Sequence, residues 1–160
     1  NLEERKAEDL GLSYRTSHLR GAAVASVRIR LTPEGQRTIA ARARDIMVRR
    51  KATQPLQDRT PGCIFRNPSG GRSAGRLLDE AGMKGFGRGR ASISEKHANF
   101  VINRGGARFG DVRDLIREAH QRVLDRFGVS LALEVVAWPR PGFEAESLLA
   151  EPQFGAGSVQ

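Results

Sequence analysis

A chain of 160 residues with 39% hydrophobic side chains can bury one core, and no apolar run reaches the roughly 18 residues that span a bilayer. The formal charge of +9 favours an anionic partner without choosing between nucleic acid, a phosphate-bearing metabolite and an acidic protein surface. One cysteine excludes an internal disulfide, three scattered histidines make no zinc pattern, and the first residues lack a secretory signal, so we expect a cytoplasmic protein without a metal.

The first predicted elements are a strand and a long helix. Hydrophobic and polar residues alternate from Val24 to Leu31, which predicts a half-buried strand. Thr32 and Pro33 are typical of an N-cap and the first turn of a helix. The helix should end in the basic run 49–51, whose charge suits the helix dipole. Its predicted buried side recurs at helical spacing: Ile39, Ala43, Ile46 and Met47.

The middle of the chain predicts short elements between loops. A loop over 54–62, with two prolines, leads to an apolar piece, Cys63–Phe65. A glycine-rich turn at 67–71 precedes a short helix that starts near Ser73 and ends at Gly82. The apolar side of this helix comprises Leu77, Leu78 and Ala81.

The last third of the chain predicts a loop, a strand, a helix and a second strand. Residues 85–90, rich in Gly and Arg, form the loop, and the strand covers 98–103. The helix covers about 111–127, since Gly128 is a typical stop, and its apolar face comprises Val112, Leu115, Ile116, Ala119, Val123 and Leu124. The second strand covers 131–138.

The tail after Pro139 should be loosely held. The order of strands and helices predicts an α+β domain with helices packed on one face of a small sheet.

Two residues stand out for acid–base chemistry. The predicted strand neighbours of Glu134 on its own face are apolar, so its carboxyl could be shielded and protonated at neutral pH; a solvent-facing strand glutamate is the alternative. Cys63 lies beside a glycine at the start of an apolar piece, and a thiol with a reference pKa of about 8.5 can donate a proton. The alternative for Cys63 is a small buried hydrophobe.

Other residues suggest anion contacts or structural hydrogen bonds. The glycine-rich stretch before Ser73 places backbone N–H groups ahead of a helix, which suits phosphate or an ordinary turn. Lys84 and Arg15 are candidate anion contacts, although most basic side chains in such a chain are solvated. His97 and Asn99 have the same parity in the predicted strand and should point to one side, where hydrogen bonding within the protein is the common outcome.

Five segments together resemble a known enzyme family. SYR at Ser13–Arg15, GCIFRNP at Gly62–Pro68, SAGRLLDEAGMKG at Ser73–Gly85, SEKHANFVIN at Ser94–Asn103 and LEV at Leu133–Val135 are similar, in this order, to UDP-N-acetylenolpyruvoylglucosamine reductases. The resemblance implies reduction of UDP-N-acetylglucosamine enolpyruvate to UDP-N-acetylmuramate in peptidoglycan precursor synthesis. It also implies FAD as the bound cofactor and NADPH as the reductant.

The resemblance also implies a division of the chain. Residues 1–31 would be the end of the family's flavin-binding domain, 32–138 the C-terminal substrate-binding domain, and 139–160 a loosely ordered tail. The glycine-rich flavin segment of the family is not found in this sequence, so we expect FAD to be bound mainly outside it. This chain alone should then be inactive.

The family's functional positions map onto residues of this chain. Cys63 matches the proton donor, which is serine or cysteine in the family, and Arg15 and Glu134 match the pair that stabilises the developing negative charge. Asn67, Lys84 and His97 match positions at or near the UDP-sugar, with Lys84 a partner for the diphosphate. The chain departs from the family at Val136, where many members have a basic residue.

The sequence leaves two alternatives of other classes open. One is a UDP-sugar-binding module without catalysis. The other is a basic nucleic-acid-binding domain, which the sequence favours less because Trp and Tyr occur once each and basic residues do not alternate with aromatic ones.

Overall fold

The computed structural model describes residues 3–19, 21–138 and 148–149. The chain divides into two units, Asn1–Ile39 and Ala40–Gln160. No helix among the described residues is long and apolar enough to cross a bilayer.

The first unit contains a 3₁₀ helix, Ala7–Leu10, and a segment without regular secondary structure where the sequence predicted a strand. The prediction of a half-buried strand at 24–31 is wrong, because the segment has no strand assignment and is exposed throughout. Val27 is 72% exposed and Ile29 is 70% exposed. A strand needs a neighbour for its backbone groups, and no described residue forms a β-pair with this segment in the structure.

Helix α1 covers Gln36–Thr53 and begins three residues after the predicted proline position. The carbonyl of Gly35 accepts its first helical bond, from Ile39 N at 3.1 Å. The predicted burial of its apolar side is wrong: Ile46 and Met47 are 43% and 45% exposed, and α1 has no buried residue. Periodicity identified the helix, but burial also requires an opposing surface, which the described residues do not supply.

The sheet has three short antiparallel strands in the order β1-β2-β3: β1 is Gly87–Arg88, β2 is Ala91–Ile93 and β3 is Val101–Asn103. Arg88 pairs with Ala91 across a tight turn, and Ser92 pairs with Ile102. The predicted loop at 85–90 is therefore largely a hairpin. The predicted strand at 98–103 is shorter, because the chain turns before Val101 and Phe100 N donates to His97 O at 3.1 Å.

Helices α2, Ala74–Glu80, and α3, Phe109–Phe127, confirm their predictions closely. Ser73 caps α2 as expected, with its hydroxyl accepting from Arg76 N at 3.3 Å. Gly128 ends α3 in the left-handed conformation at φ +66°, and its N–H bonds to Leu124 O at 2.8 Å. The side chain of Leu124 is 36% exposed, so this one residue of the predicted apolar face is not part of the core.

The core of the second unit lies between the sheet, α2 and α3. Helix α3 packs against β1 and β2, and α2 packs against α3, which confirms an α+β fold with a helix on the sheet. The buried core includes Ile64, Phe65, Leu77, Leu78, Met83, Ile93, Val101, Leu115, Ile116, Ala119, Val123 and Leu131. Of the tail predicted to be loose, the structure describes only 148–149, where Leu148 is buried; the rest of that tail lies outside the described residues.

The burial of α3 can be tested by truncating one core side chain. Leu115 is fully buried, so Leu115→Ala should lower the free energy of unfolding by about 2–5 kcal/mol through lost burial and a residual cavity. Urea titration of the 160-residue chain measures this loss. Leu124→Ala, on the same helix, is the control and should cost clearly less. Equal losses for the two variants would contradict the assignment of these faces.

Candidate functional site

Residues 63–66 form the middle segment of an irregular antiparallel arrangement. On one side Cys63 pairs with Phe100, and on the other Phe65 pairs with Leu133. Arg66 N donates to Ala132 O at 2.8 Å. The predicted strand 131–138 is thus reduced to a short pairing with this middle segment. Cys63 itself is half-buried, and the two residues that follow it, Ile64 and Phe65, are fully buried.

The pairing places Glu134 opposite Ile64, the residue that follows Cys63. The carbonyl of Ile64 accepts from both Glu134 N, at 2.8 Å, and Val135 N, at 3.3 Å, so two residues face one as in a β-bulge. Such a bulge changes the direction of the side chains around it. Glu134 is half-buried, whereas its predicted face neighbours Val136 and Trp138 are 74% and 88% exposed. The face that was expected to shield the carboxylate is open.

The side chain of Asn99 bonds the backbone of Phe65 in the place where a neighbouring strand would otherwise do so. Its amide oxygen accepts from Phe65 N at 2.9 Å, and its amide nitrogen donates to Phe65 O at 2.8 Å. Its backbone carbonyl accepts from Ile64 N at 2.9 Å. Only 3% of Asn99 is exposed. From the sequence, Asn99 stands out only as the companion of His97, although an asparagine within an apolar run is itself a sign of a buried hydrogen-bonding role.

His97 lies over the first turn of α2. A Cβ at Gly75 would come within 2.7 Å of His97 Cε1, so any larger residue at position 75 would displace the His97 ring. The His97 ring also meets Phe100 edge to face, with 4.9 Å between ring centroids. Because 97–100 is a turn, strand parity does not apply to His97 and Asn99, and the prediction of a shared side from a strand is wrong.

The hydrogen bond to His97 determines which nitrogen of its neutral ring carries the proton. Asn99 N donates to His97 Nδ1 at 3.2 Å, which leaves Nε2 as the protonated nitrogen of the ring. Burial lowers the pKa of His97, and the positive charge of Lys84 lowers it further, whereas a hydrogen bond to the backbone and the Asp79 carboxylate oppose the shift. A neutral ring with Nε2–H is therefore a hydrogen-bond donor on this surface.

The lowered pKa of His97 predicts how stability depends on pH. The unfolded chain, with a histidine pKa of about 6.5, binds more protons than the folded chain in the range between the folded pKa and this value. The contribution of the neutral His97 to the free energy of unfolding is therefore fully present above about pH 6.5, and it is lost as the pH falls from there through the folded pKa. Burial also lowers the pKa of His120, so the comparison is made in a His120→Gln background.

In that background, His97→Gln should flatten the decline in the free energy of unfolding between about pH 7 and pH 5. Urea titrations at several pH values measure the two slopes. Identical slopes with and without His97 would contradict a lowered pKa for this residue.

Lys84 lies beside His97 and forms an ion pair within the same unit. Its Nζ is 2.6 Å from Asp79 Oδ2, and its side chain is 38% exposed. Sequence reasoning did not identify Asp79, although an acidic residue five positions before a lysine at a helix end is a visible candidate partner. The exposed ammonium, partly balanced by one carboxylate, remains accessible to an anion.

The glycine-rich turn favours the ordinary-turn interpretation over phosphate binding. Asn67 Oδ1 accepts from Ala74 N at 3.0 Å, and Ser73 Oγ accepts from Arg76 N. These side chains already satisfy N–H groups at the start of α2. The side-chain amide oxygen of Asn67 is occupied by this bond, so the NH₂ group of the same side chain is the part suited to contact a ligand.

Arg15 belongs to the first unit, whereas Cys63, Asn67, Lys84, His97 and Glu134 belong to the second. Ser13 and Thr16 exchange two backbone hydrogen bonds, at 3.1 and 3.2 Å, around a two-residue turn. Arg15 has a φ of +57° in this turn, which is uncommon for a residue with a side chain. Its guanidinium lies 5.9 Å from the centre of the Tyr14 ring.

No three His, Cys, Asp or Glu side chains in the described part of the chain are grouped as metal ligands. Taken together, the second unit is a small α+β domain that carries a half-buried thiol, a nearby glutamate and a surface with a lysine, a neutral histidine and an amide. These groups define a domain suited to bind a polar ligand, with a thiol near the candidate binding surface.

Comparisons with known proteins agree with this class. Residues 54–138 match the family model described as "UDP-N-acetylenolpyruvoylglucosamine reductase, C-terminal domain". The chain therefore belongs to the UDP-N-acetylenolpyruvoylglucosamine reductase family and carries its C-terminal domain.

Relatives with that name include proteins from Acidiphilium cryptum, 45% identical over 81% of this chain and 42% of its own length, and Anaeromyxobacter dehalogenans, 48% identical over 81% and 39%. The crystal structure of the reductase from Thermus caldophilus matches with a TM-score of 0.70 and 42% identity, over 82% of this chain and 47% of that protein. The chain thus spans less than half the length of these relatives.

Proposed function

We propose that this chain supplies the substrate-binding part of a reductase that converts UDP-N-acetylglucosamine enolpyruvate to UDP-N-acetylmuramate. The reaction serves peptidoglycan precursor synthesis in the cytoplasm, and through it cell-wall growth, cell shape and division. Family membership supports the reaction class. The observation that carries the proposal is the half-buried Cys63, held in register between two pairing segments next to the segment of Glu134.

Reduction of the enolpyruvyl double bond requires a hydride at one carbon and a proton at the other. The hydride leaves negative charge next to the carboxylate, and this enolate-like charge must be stabilised until a proton arrives. Cys63 donates that proton from its thiol, which is several pKa units more acidic than an alcohol. Arg15 supplies positive charge to the developing anion, and Glu134 assists it.

Substrate recognition falls to the surface beside α2. Lys84 pairs with the diphosphate, and its present partner Asp79 is displaced or shared on binding. The Nε2–H of His97 and the NH₂ group of Asn67 donate to sugar or phosphate oxygens. The open environment of Val136 provides no basic contact where many family members have one.

The glycine-rich turn before α2 does not fit FAD. Binding its pyrophosphate calls for a glycine-rich loop with free backbone N–H groups at a helix start, and the glycine-rich turn before α2 uses such groups internally. The proposal therefore assigns FAD, reduced by NADPH, mainly to the N-terminal part of the whole protein, with 1–31 as the end of that domain. Residues 32–138 form the substrate domain, and 139–160 form the tail.

The proposal is tested with the protein in a length comparable to that of its relatives. A purified sample should be yellow, and it should oxidise NADPH over many turnovers only when the enolpyruvyl substrate is present. A protein that binds no flavin, or that oxidises no NADPH with this substrate, overturns the proposal.

The second candidate function is UDP-sugar binding without catalysis, which requires only the surface of Asn67, Lys84 and His97. Calorimetry of the 160-residue chain distinguishes it. Tight binding of the UDP-sugar together with an inactive full-length protein supports this candidate, and absence of binding contradicts it. Salt-sensitive binding of DNA or RNA would instead support the nucleic-acid alternative.

A further inference from the structure

One buried amide connects two parts of the candidate site. Asn99 contacts the backbone that follows Cys63 through its side chain and contacts His97 through its backbone N–H. Cys63 and His97 are the candidate proton donor and a candidate substrate contact. Asn99 itself is 3% exposed, so it does not reach a ligand directly.

The chemistry of the contact limits which residue can occupy position 99. Phe65 presents an N–H and a C=O to the same side chain, and both bonds are short, at 2.9 and 2.8 Å. An amide supplies one acceptor and one donor, whereas a carboxylate supplies only acceptors and an aliphatic side chain supplies neither. Buried backbone groups without partners are strongly unfavourable.

We propose that Asn99 is a positioning residue that holds the Cys63–Phe65 segment and the neutral His97 ring in one fixed arrangement. Its side-chain amide keeps the Cys63–Phe65 segment attached to the 97–100 turn through the backbone of Phe65. Its backbone N–H keeps Nδ1 of His97 unprotonated and directs Nε2–H away from the turn. The inference rests on the proposed function, in which Cys63 donates the proton and His97 contacts the substrate.

The test uses Asn99→Ala in the 160-residue chain, with two measurements. The rate of Cys63 alkylation by iodoacetamide should rise about tenfold, because loss of a buried hydrogen-bonding partner shifts a local opening equilibrium by about this factor. Alanine keeps the backbone N–H that bonds His97 Nδ1, but the turn that carries this N–H is no longer anchored to Phe65. The ¹⁵N spectrum of the His97 ring should therefore change from the single Nε2–H tautomer to a mixture. A folded variant with unchanged alkylation and an unchanged tautomer overturns the proposal.

Asn103→Ala is the matched control. Asn103 Oδ1 accepts from Gly105 N at 2.9 Å and from Ala107 N at 3.2 Å, so this variant also removes two bonds from an asparagine side chain to the backbone, at the far end of β3. It should lower the melting temperature without changing Cys63 alkylation or the His97 tautomer. The same changes in both variants would show general loosening and overturn the proposal.

A measurement on the unaltered chain applies if Asn99→Ala does not fold. The Phe65 amide should then be among the slowest to exchange with deuterium in the second unit. Exchange as fast as that of an exposed loop amide overturns the proposal.

Activity of the full-length protein separates this inference from the proposed function. If Cys63→Ala leaves substrate reduction intact while Asn99→Ala still changes alkylation and tautomer, the proposed chemistry fails and the positioning role stands. If Cys63→Ala stops substrate reduction while Asn99→Ala changes neither property, the positioning role fails alone.

Discussion

Cys63→Ala in the full-length protein should slow reduction of the enolpyruvyl substrate by roughly 10²–10⁴-fold, the range typical of losing a positioned general acid. The thiol is the candidate proton donor, and alanine offers no proton. Reduction of the flavin by NADPH should be nearly unchanged, because that half-reaction needs no proton from Cys63. Stopped-flow measurements of the two half-reactions give the two rates separately.

Cys63→Ser is the matched control, since it replaces the S–H donor with an O–H donor of similar size. It should retain part of the rate of substrate reduction, limited by the weaker acidity of the hydroxyl. Equal losses in both half-reactions for Cys63→Ala would mean that Cys63 is a structural residue of the middle segment, which is the alternative that the sequence left open.

Lys84→Ala should raise the KM for the UDP-sugar substrate by roughly 10–100-fold, with a much smaller change in kcat. A hydrogen bond to a charged group is commonly worth about 1.5–3 kcal/mol, and a diphosphate held equally in the ground and transition states affects KM rather than kcat. Steady-state kinetics of the full-length protein measure both constants.

Two variants control for the loss of charge and for the ion pair. Lys96, an exposed lysine whose Nζ is 3.4 Å from the Lys51 carbonyl, can be replaced by alanine, and KM should stay nearly constant. Asp79→Asn removes the partner of Lys84 and should leave KM unchanged or lower. A rise in KM for Asp79→Asn as large as that for Lys84→Ala would assign Lys84 to the ion pair instead of the substrate.

Local patterns were sufficient for α2 and α3. Ser73 and Gly128 are strong helix boundaries, and Leu115, Ile116, Ala119 and Val123 recur at the helical period. Both predictions succeeded because capping and periodicity act within a few residues of the chain. The hairpin at 87–93 was missed because its glycines and arginines lack the alternating hydrophobic pattern that identifies a strand.

Burial was predictable only where the described chain contains the opposing surface. The alternation at 24–31 and the apolar side of α1 are real sequence features, but those side chains are exposed in the structure. A hydrophobic pattern records that a face is suited to burial; the surface that covers it must be supplied by another part of a fold. The sequence pattern cannot indicate whether that part is present.

The sequence by itself determined the family, the α+β class, the two main helices of the second unit and the candidate residues of the site. Tertiary structure decided how those residues are held: Cys63 in a paired middle segment, Glu134 at a bulge, His97 over Gly75 and Lys84 beside Asp79. It also revealed Asn99, whose bonds to Phe65 span 34 positions of the chain. Such a contact follows from where two distant backbones meet, which no local pattern of residues specifies.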